Sequence, residues 1–269
     1  MSNGEAPQYG LLDAYTPAKI AERIEASGVA KAELPFVKLA ALSLLAGAFI
    51  AFGAMLFTVT MTGNTLGFGP GRLLGGVSFS LGLILVVIAG AELFTGNNLI
   101  VMAWADRKVS TGLLLRNWGI VYVANLIGSV GAAALFVLAG SLALGDGAVG
   151  ETAVKIAASK VALPFAEAFF RGVLCNALVC LAVWLTMAAH SVSGKILAII
   201  FPIAGFVALG FEHSIANMYF IPVAIMHGAD SVTLAGFINN LIPVTLGNIV
   251  GGGGFVALVY WIIFRRPDA

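Results

Sequence analysis

The sequence predicts an all-α membrane protein of six transmembrane helices, arranged as an inverted three-helix repeat in which passes 2 and 5 are broken. Three observations predict it. Of 269 residues, 60% are hydrophobic and only 10% charged, with a mean hydropathy of +1.01, whereas soluble domains carry roughly 25% charge. Long stretches contain no Asp, Glu, Lys or Arg, and a polar segment set within the apolar sequence recurs 120 residues later. Fourteen basic against thirteen acidic residues leave a net charge of +1, too little to neutralise a nucleic-acid backbone.

Taken in order, residues 1–30 hold Glu5, Asp13, Glu22 and Glu25 without an uninterrupted apolar run, so no cleavable secretory signal is expected. Thr16-Pro17, then Ala18 to Ser27, then Gly28 read as N-cap, N1 proline, a short amphipathic helix and a C′ glycine. Residues 1–35 are therefore expected to form a cytoplasmic amphipathic segment lying along the interface. Residues 36–265 would form the six-span pore domain, with repeats of about 36–140 and 163–265.

A helix crossing a bilayer needs about 20 mostly apolar residues. Charge-free stretches run 39–71, 73–91, 117–145, 172–194 and 231–264. Shorter ones complete the second pass across Glu92, at 93–105, and build the fifth from 196–211 and 213–229 across Glu212. An ionisable group at membrane depth is costly enough to mark function. With both termini in the cytoplasm, ten basic residues lie inside and four outside, the four being Arg72, Lys155, Lys160 and Arg171, as the positive-inside rule asks. The 146–167 segment is the longest polar connection, expected as a periplasmic cap. Cys175 and Cys180 read as small core residues, the glycines at 75–76 and 251–254 as close helix packing, and His190 and His227 as loop residues.

The two interrupted passes read Gly90-Ala91-Glu92-Leu93-Phe94-Thr95-Gly96-Asn97 and Gly210-Phe211-Glu212-His213-Ser214-Ile215-Ala216-Asn217. Gly, Glu and Asn recur at the same spacing. The next pass repeats as well: Asn117 and Asn125-Leu126-Ile127-Gly128 answer Asn240 and Asn248-Ile249-Val250-Gly251. A duplicated unit of three spans enters the membrane in the opposite sense the second time, giving a pseudo-two-fold axis in the membrane plane, an architecture of channels and transporters. Irregular backbone at membrane depth needs protein or a polar cavity to satisfy it. Glu92 with Asn97, and Glu212 with Asn217, are the expected supports of the two breaks, the carboxylates accepting hydrogen bonds from freed backbone.

These two segments resemble the signature segments of the formate–nitrite transporter family. The resemblance extends to Phe79-Ser80-Leu81-Gly82-Leu83, Asn176 to Trp184 and Pro243-Val244-Thr245-Leu246-Gly247-Asn248, and so to nearly the whole chain. It implies an aquaporin-like protomer with its own pore, assembled as a homopentamer in the bacterial inner membrane and passing formate, nitrite or related small monovalent anions. It implies a periplasmic constriction of Phe79, Leu83 and Phe206 and a cytoplasmic one of Leu93, Phe94 and Val179. Between them would stand His213, with Thr95 and Asn176 beside it and Lys160 lining the periplasmic vestibule as an attractor. Bare charge in a narrow apolar passage is costly, so an anion there tends to neutralise. A proton from His213, direct or through water, would let formic acid cross; alternatively His213 remains cationic or only donates a hydrogen bond, and the pore passes the anion passively.

Formate is the expected substrate and nitrite the main alternative: residues 79–83 and 243–254 look more like formate members, while Glu92 with Gly96 leans the other way. The expected partners are formate or nitrite, protons and the lipid bilayer, and no cofactor, metal or enzymatic activity is expected. An aquaporin-type channel for neutral solutes would carry Asn-Pro-Ala at both half-helix starts, and this chain has none. An intramembrane metalloprotease would need His-Glu-x-x-His, and Glu212-His213 has no second histidine nearby. A purely structural scaffold would not need two interrupted spans with polar residues.

Overall fold

The computed structural model describes residues 14–266, and every regular element among them is helical. Helix α1 (Pro17–Ala32) leads into α2 (Phe36–Met61) and α3 (Phe68–Leu85), which ends in a π-helical turn at Val86–Gly90. After a break come the short α4 (Phe94–Asn97), a 3-10 turn and α5 (Val101–Ala105), then α6 (Thr111–Leu138). Helix α7 (Ala148–Val161) connects to α8 (Phe165–Ala188) and α9 (Val192–Ala208). A second break separates α9 from α10 (Ser214–Met226), and α11 (Leu234–Ile249) continues through a π-helical stretch, Val250–Leu258, into α12 (Val259–Phe264). Five helices are long and apolar enough to cross a membrane: 36–61, 68–90, 111–138, 165–188 and 234–264. Helices α9 and α10 are apolar but shorter, and they flank the second break.

Each break opens on a glycine in the left-handed region, Gly90 at φ +85 and Gly210 at φ +75, where a Cβ would be strained. Beyond it the chain runs extended before the next helix starts at Phe94 or Ser214. The short helices after the breaks cross to the other half of the chain: α4 and α5 pack on α8 and the Val250–Leu258 stretch, and α10 packs on α6 and α2. Glycine allows the closest crossings. A Cβ at Gly47 would strike the Asn125 backbone, one at Gly247 the Phe169 carbonyl, and one at Gly251 the Val173 carbonyl. The expected packing role of Gly75 and Gly76 holds too, against Phe57 and Ala204. Cys175 and Cys180 are buried free thiols.

Helix α1 corrects the expected boundary. Thr16 caps it as the sequence indicates, its Oγ1 accepting from Lys19 N at 3.4 Å, but the helix runs on through Gly28 to Ala32. Gly28 is no C′ residue. It is where α1 touches Ala103 and Ile100, so the missing side chain serves helix packing and not termination. Ile20, Ala21, Ile24 and Ala32 are buried with Leu99 to Ala103, so one face of α1 is docked on protein and does not simply rest on the interface. Residues 1–13 of the expected amino-terminal segment lie outside the described residues.

Glu25, 3% exposed, fastens α1. It accepts hydrogen bonds from Lys108, before α6, and from Arg265 Nε at 2.9 Å, just after α12, while Asp106 meets Lys108 at 3.0 Å and Trp261 Nε1 at 3.2 Å. Glu25, then Asp106, hold the Lys108 ammonium above its ordinary lysine value. A raised lysine contributes stability that is complete below its unfolded pKa and lost only as pH rises through the folded value, so the clasp is unaffected around neutrality. Glu25→Ala should therefore accelerate limited trypsin cleavage at Arg23 and Lys31 about tenfold, equally at about pH 6 and about pH 8. An unchanged cleavage rate would show that apolar burial alone holds α1.

Candidate functional site

The two breaks are wired by the same hydrogen bonds. Asn125 on α6 accepts from Phe94 N through Oδ1 at 2.9 Å and donates through Nδ2 to Glu92 O at 3.0 Å and Ser43 O at 2.6 Å. Asn248 on α11 accepts from Ser214 N at 2.9 Å and donates to Glu212 O at 3.0 Å and Gly172 O at 2.9 Å. An asparagine amide both donates and accepts, so one side chain serves an orphaned N–H and an orphaned C=O together, which an ionised carboxylate cannot do.

The glutamates therefore do something other than the expected capping of freed backbone. Glu92 accepts from Asn97 Nδ2 at 2.8 Å and pairs with Lys31 at 2.6 Å. Glu212 accepts from Asn217 Nδ2 at 2.7 Å and pairs with Lys160 at 2.9 Å. Asn117 and Asn240 close each circuit, accepting from Asn97 or Asn217 and donating to the carbonyl of Lys31 at 3.0 Å or Lys160 at 2.8 Å. Helices α1 and α7 are thus counterparts, each delivering one lysine to one break.

Two cavities face these breaks from opposite ends. One, about 340 Å³, is lined by Arg72, Phe79, Lys160, Arg171, Phe206, Glu212 and His213. The other, about 320 Å³, is lined by Lys31, Leu83, Val86, Glu92, Leu93 and Asn97. Phe79 and Phe206 meet edge to face at 5.7 Å, and Phe206 lies over the His213 ring at 6.0 Å. Phe79, Leu83, Leu93, Phe94, Val179 and Phe206 are each at most 3% exposed, as are Thr95, Asn176 and His213.

His213 is the N-cap of α10: its Nδ1 accepts from Ala216 N at 3.1 Å, and its Nε2 lies 2.9 Å from Thr95 Oγ1. A nitrogen that accepts carries no proton, so in the neutral ring the N–H is on Nε2 and points to the threonine. The equivalent residue in the first half is Leu93, which caps nothing with its side chain. The repeat thus departs from symmetry at the residue that carries an exchangeable proton.

Other expected site residues sit differently. Leu83 borders the Lys31 cavity, not the one lined by Phe79 and Phe206, because it lies one helical turn further along α3 toward the break. Phe94 does not line either cavity; its ring packs edge-on to Tyr122 at 4.9 Å and Trp118 at 6.1 Å. Val179 is buried in the same apolar cluster. Asn176 Nδ2 contacts Thr95 O at 3.2 Å, Asn98 Oδ1 at 2.8 Å and Asn248 O at 2.7 Å, tying the first break to α11. Lys160 borders its cavity as expected, but as the ion-pair partner of Glu212.

The family model for formate/nitrite transporters matches residues 18–262. The chain belongs to the formate/nitrite transporter family. Formate channel FocA of Escherichia coli (strain K12) is 40% identical over 275 residues, covering 95% of this chain and 96% of the relative. A probable formate transporter of Methanothermobacter thermautotrophicus is 46% identical over 268 residues, covering 93% and 97%. A solved structure described as a pentameric formate channel with formate bound is similar at a TM-score of 0.80 and 43% identity, covering 86% of this chain and 98% of that one.

In this family member, sequence reasoning missed Lys31. The glutamates and break asparagines repeat at 120 residues, but Asn117 and Asn240 lie 123 apart and the two lysines 129 apart, so no single offset aligns the whole circuit. Removing one partner of a buried pair leaves an uncompensated charge, at about 3–5 kcal/mol. The Lys160 side chain is 13% exposed and that of Lys31 30%. Lys160→Met should therefore lower the thermal midpoint in detergent more than Lys31→Met, and Glu212→Gln added to Lys160→Met should recover most of the loss. Equal loss from either lysine would contradict this ranking.

Proposed function

We propose that this chain moves formate across the bacterial inner membrane through a pore within each protomer. The observation that carries the reading is the His213–Thr95 pair, set at the second break between two end cavities otherwise separated by apolar side chains. The relatives named for formate support the substrate. In this reading α9 and α10 together make a sixth, broken pass, α3 to α5 make the second, and the two halves form an inverted, aquaporin-like repeat, supported by the duplicated hydrogen bonds. Residues 36–265 form the pore domain and α1 belongs to its cytoplasmic end, so both termini are cytoplasmic and α7 faces the periplasm. Five copies assemble, as in the solved pentameric relative.

Phe79 and Phe206 form the outer constriction, Leu83 and Leu93 the inner, with Phe94 and Val179 backing the latter. Formate entering the outer vestibule meets low dielectric at Phe206, where burial favours the protonated acid over the anion. Nε2–H of His213 donates to Thr95, which frees the threonine hydroxyl proton for the substrate oxygen. The anion held there takes a proton from vestibule water, leaving hydroxide on the source side and giving formic acid, which crosses as a neutral molecule and releases the proton to water on the other side. Asn176 keeps the Thr95 backbone in place. The test is flux into proteoliposomes under an imposed pH gradient with formate, nitrite, chloride and glycerol. Formate faster than nitrite, with proton movement, is expected; nitrite faster would reassign the substrate, and glycerol flux without anion flux would defeat the reading.

A further inference from the structure

The two asparagines that wire the breaks stand on different helices, Asn125 on α6 and Asn248 on α11. Those helices pack chiefly on others, α6 on α2 and α10, and α11 on α8. Among the described residues one side-chain hydrogen bond joins α6 to α11: Tyr122 Oη and Thr245 Oγ1 lie 2.8 Å apart. Tyr122 precedes Asn125 by about one helical turn, and Thr245 precedes Asn248 by the same step. Tyr122 and Thr245 are also 123 residues apart, as Asn125 and Asn248 are, so the bond joins two counterparts in the duplicated wiring. Counterparts can touch only where the two halves meet. Neither residue lines either end cavity.

This bond stands behind the His213–Thr95 pair. Thr95 follows Phe94, whose N–H is held by Asn125 and whose ring lies edge-on to Tyr122 at 4.9 Å. His213 precedes Ser214, whose N–H is held by Asn248. Helix α4 has four residues, too few to fix its own position. Asn176 on α8 holds the Thr95 carbonyl, but a short helix held from one side would still roll about that contact. The α6 contacts stop the roll as long as α6 keeps its place against α11, which carries the other break. Thr95 Oγ1 and His213 Nε2 meet at 2.9 Å, and a slip of about 0.5 Å takes them beyond good hydrogen-bond range. We propose that Tyr122 and Thr245 are positioning residues for transport: their bond sets α6 against α11 and, through Asn125 and Asn248, keeps Thr95 within reach of His213. The proposal rests on the reading that this pair handles formate, and adds to it what holds the pair in register.

The experiment measures initial formate uptake into proteoliposomes under an imposed pH gradient, with thermal midpoints in detergent alongside. The proteins are wild type, Tyr122→Phe, Thr245→Val, Thr245→Ser, Thr95→Val, and Tyr122→Phe combined with each valine variant. Phenylalanine keeps the ring against Phe94, and serine keeps the hydroxyl. Tyr122→Phe and Thr245→Val should each lower uptake about fivefold, the scale of one net hydrogen bond, with midpoints within a few degrees of wild type. Thr245→Ser should stay near wild type. Tyr122→Phe with Thr245→Val should cost no more than either alone, and Tyr122→Phe should add nothing once Thr95→Val has removed the hydroxyl, because changes that act through one pair are not additive. Wild-type uptake in both Tyr122→Phe and Thr245→Val, with Thr95→Val impaired, would overturn the proposal. So would a Tyr122→Phe loss that multiplies with the Thr95→Val loss, which would assign the bond to the stability of the fold. Absence of formate flux in the wild type, or undiminished flux in Thr95→Val, would instead sink the reading of the pair, and the proposal with it.

Discussion

Asn248→Leu is expected to abolish the folded protein at ordinary temperature, although leucine is close to asparagine in size and better suited to a membrane. The change strands Ser214 N–H and Glu212 O in the break and takes a second donor from Gly172 O, which keeps its place in the α8 ladder. Each orphaned buried group costs about 1–3 kcal/mol, so two of them cost on the order of 4 kcal/mol, a large share of the stability of many domains. Asn248→Asp should be nearly as severe, since a carboxylate accepts from Ser214 but gives the two carbonyls nothing. The readout is the monodisperse yield and thermal midpoint in detergent. A midpoint within a few degrees of wild type for the leucine variant would mean that another group satisfies the second break. The equivalent Asn125→Leu should behave alike.

His213→Asn should leave the protein folded while removing formate-driven alkalinisation of the source compartment. Asparagine is a good N-cap, and its side-chain oxygen can accept from the first turn of α10 as Nδ1 does. Its shorter amide falls short of Thr95, so the donation that turns the threonine hydroxyl toward the substrate is lost. Formate flux under a pH gradient should fall by about tenfold or more, since losing a buried hydrogen bond costs about 1–3 kcal/mol. Alkalinisation unchanged from wild type would leave His213 with the capping role only. Thr95→Val provides a second reading of the same pair, keeping the shape and the histidine but removing the hydroxyl, and it should reduce formate flux with the thermal midpoint nearly intact.

The five long apolar helices and the two breaks were legible because bilayer length and the exclusion of charge leave large marks on a sequence. Glu92 and Glu212 stood out against apolar surroundings, and Gly, Glu and Asn at one spacing exposed the duplication. The lysines could not be read in the same way. Lys31 and Lys160 come from helices before each unit, joined through connections of different length, so their equivalence exists only in three dimensions. The work of the carboxylates was misread for a related reason: sequence shows that a break needs partners, but not that Asn125 and Asn248 approach from another helix to supply them. Side-chain direction was equally hidden. Phe94 lies next to Thr95 in the chain, yet its ring turns toward Trp118 and Tyr122 on α6.

The short helices after each break rest on the opposite half, with α10 against α6 and α2, α4 against α8, and α5 against the Val250–Leu258 stretch. During synthesis this imposes a wait. When residues 94–105 leave the ribosome, the surface that will cover them, on residues 165–188 and 250–258, has not yet been made. Residues 36–138 expressed alone would leave α4 and α5 uncovered, and residues 165–264 alone would lack the α2 and α6 cradle for α10. Biogenesis therefore cannot proceed as two independent insertions followed by docking; the insertion machinery must shelter the early break until the late spans arrive, and a chain shortened from its carboxyl end loses the beginning of its pore along with the end.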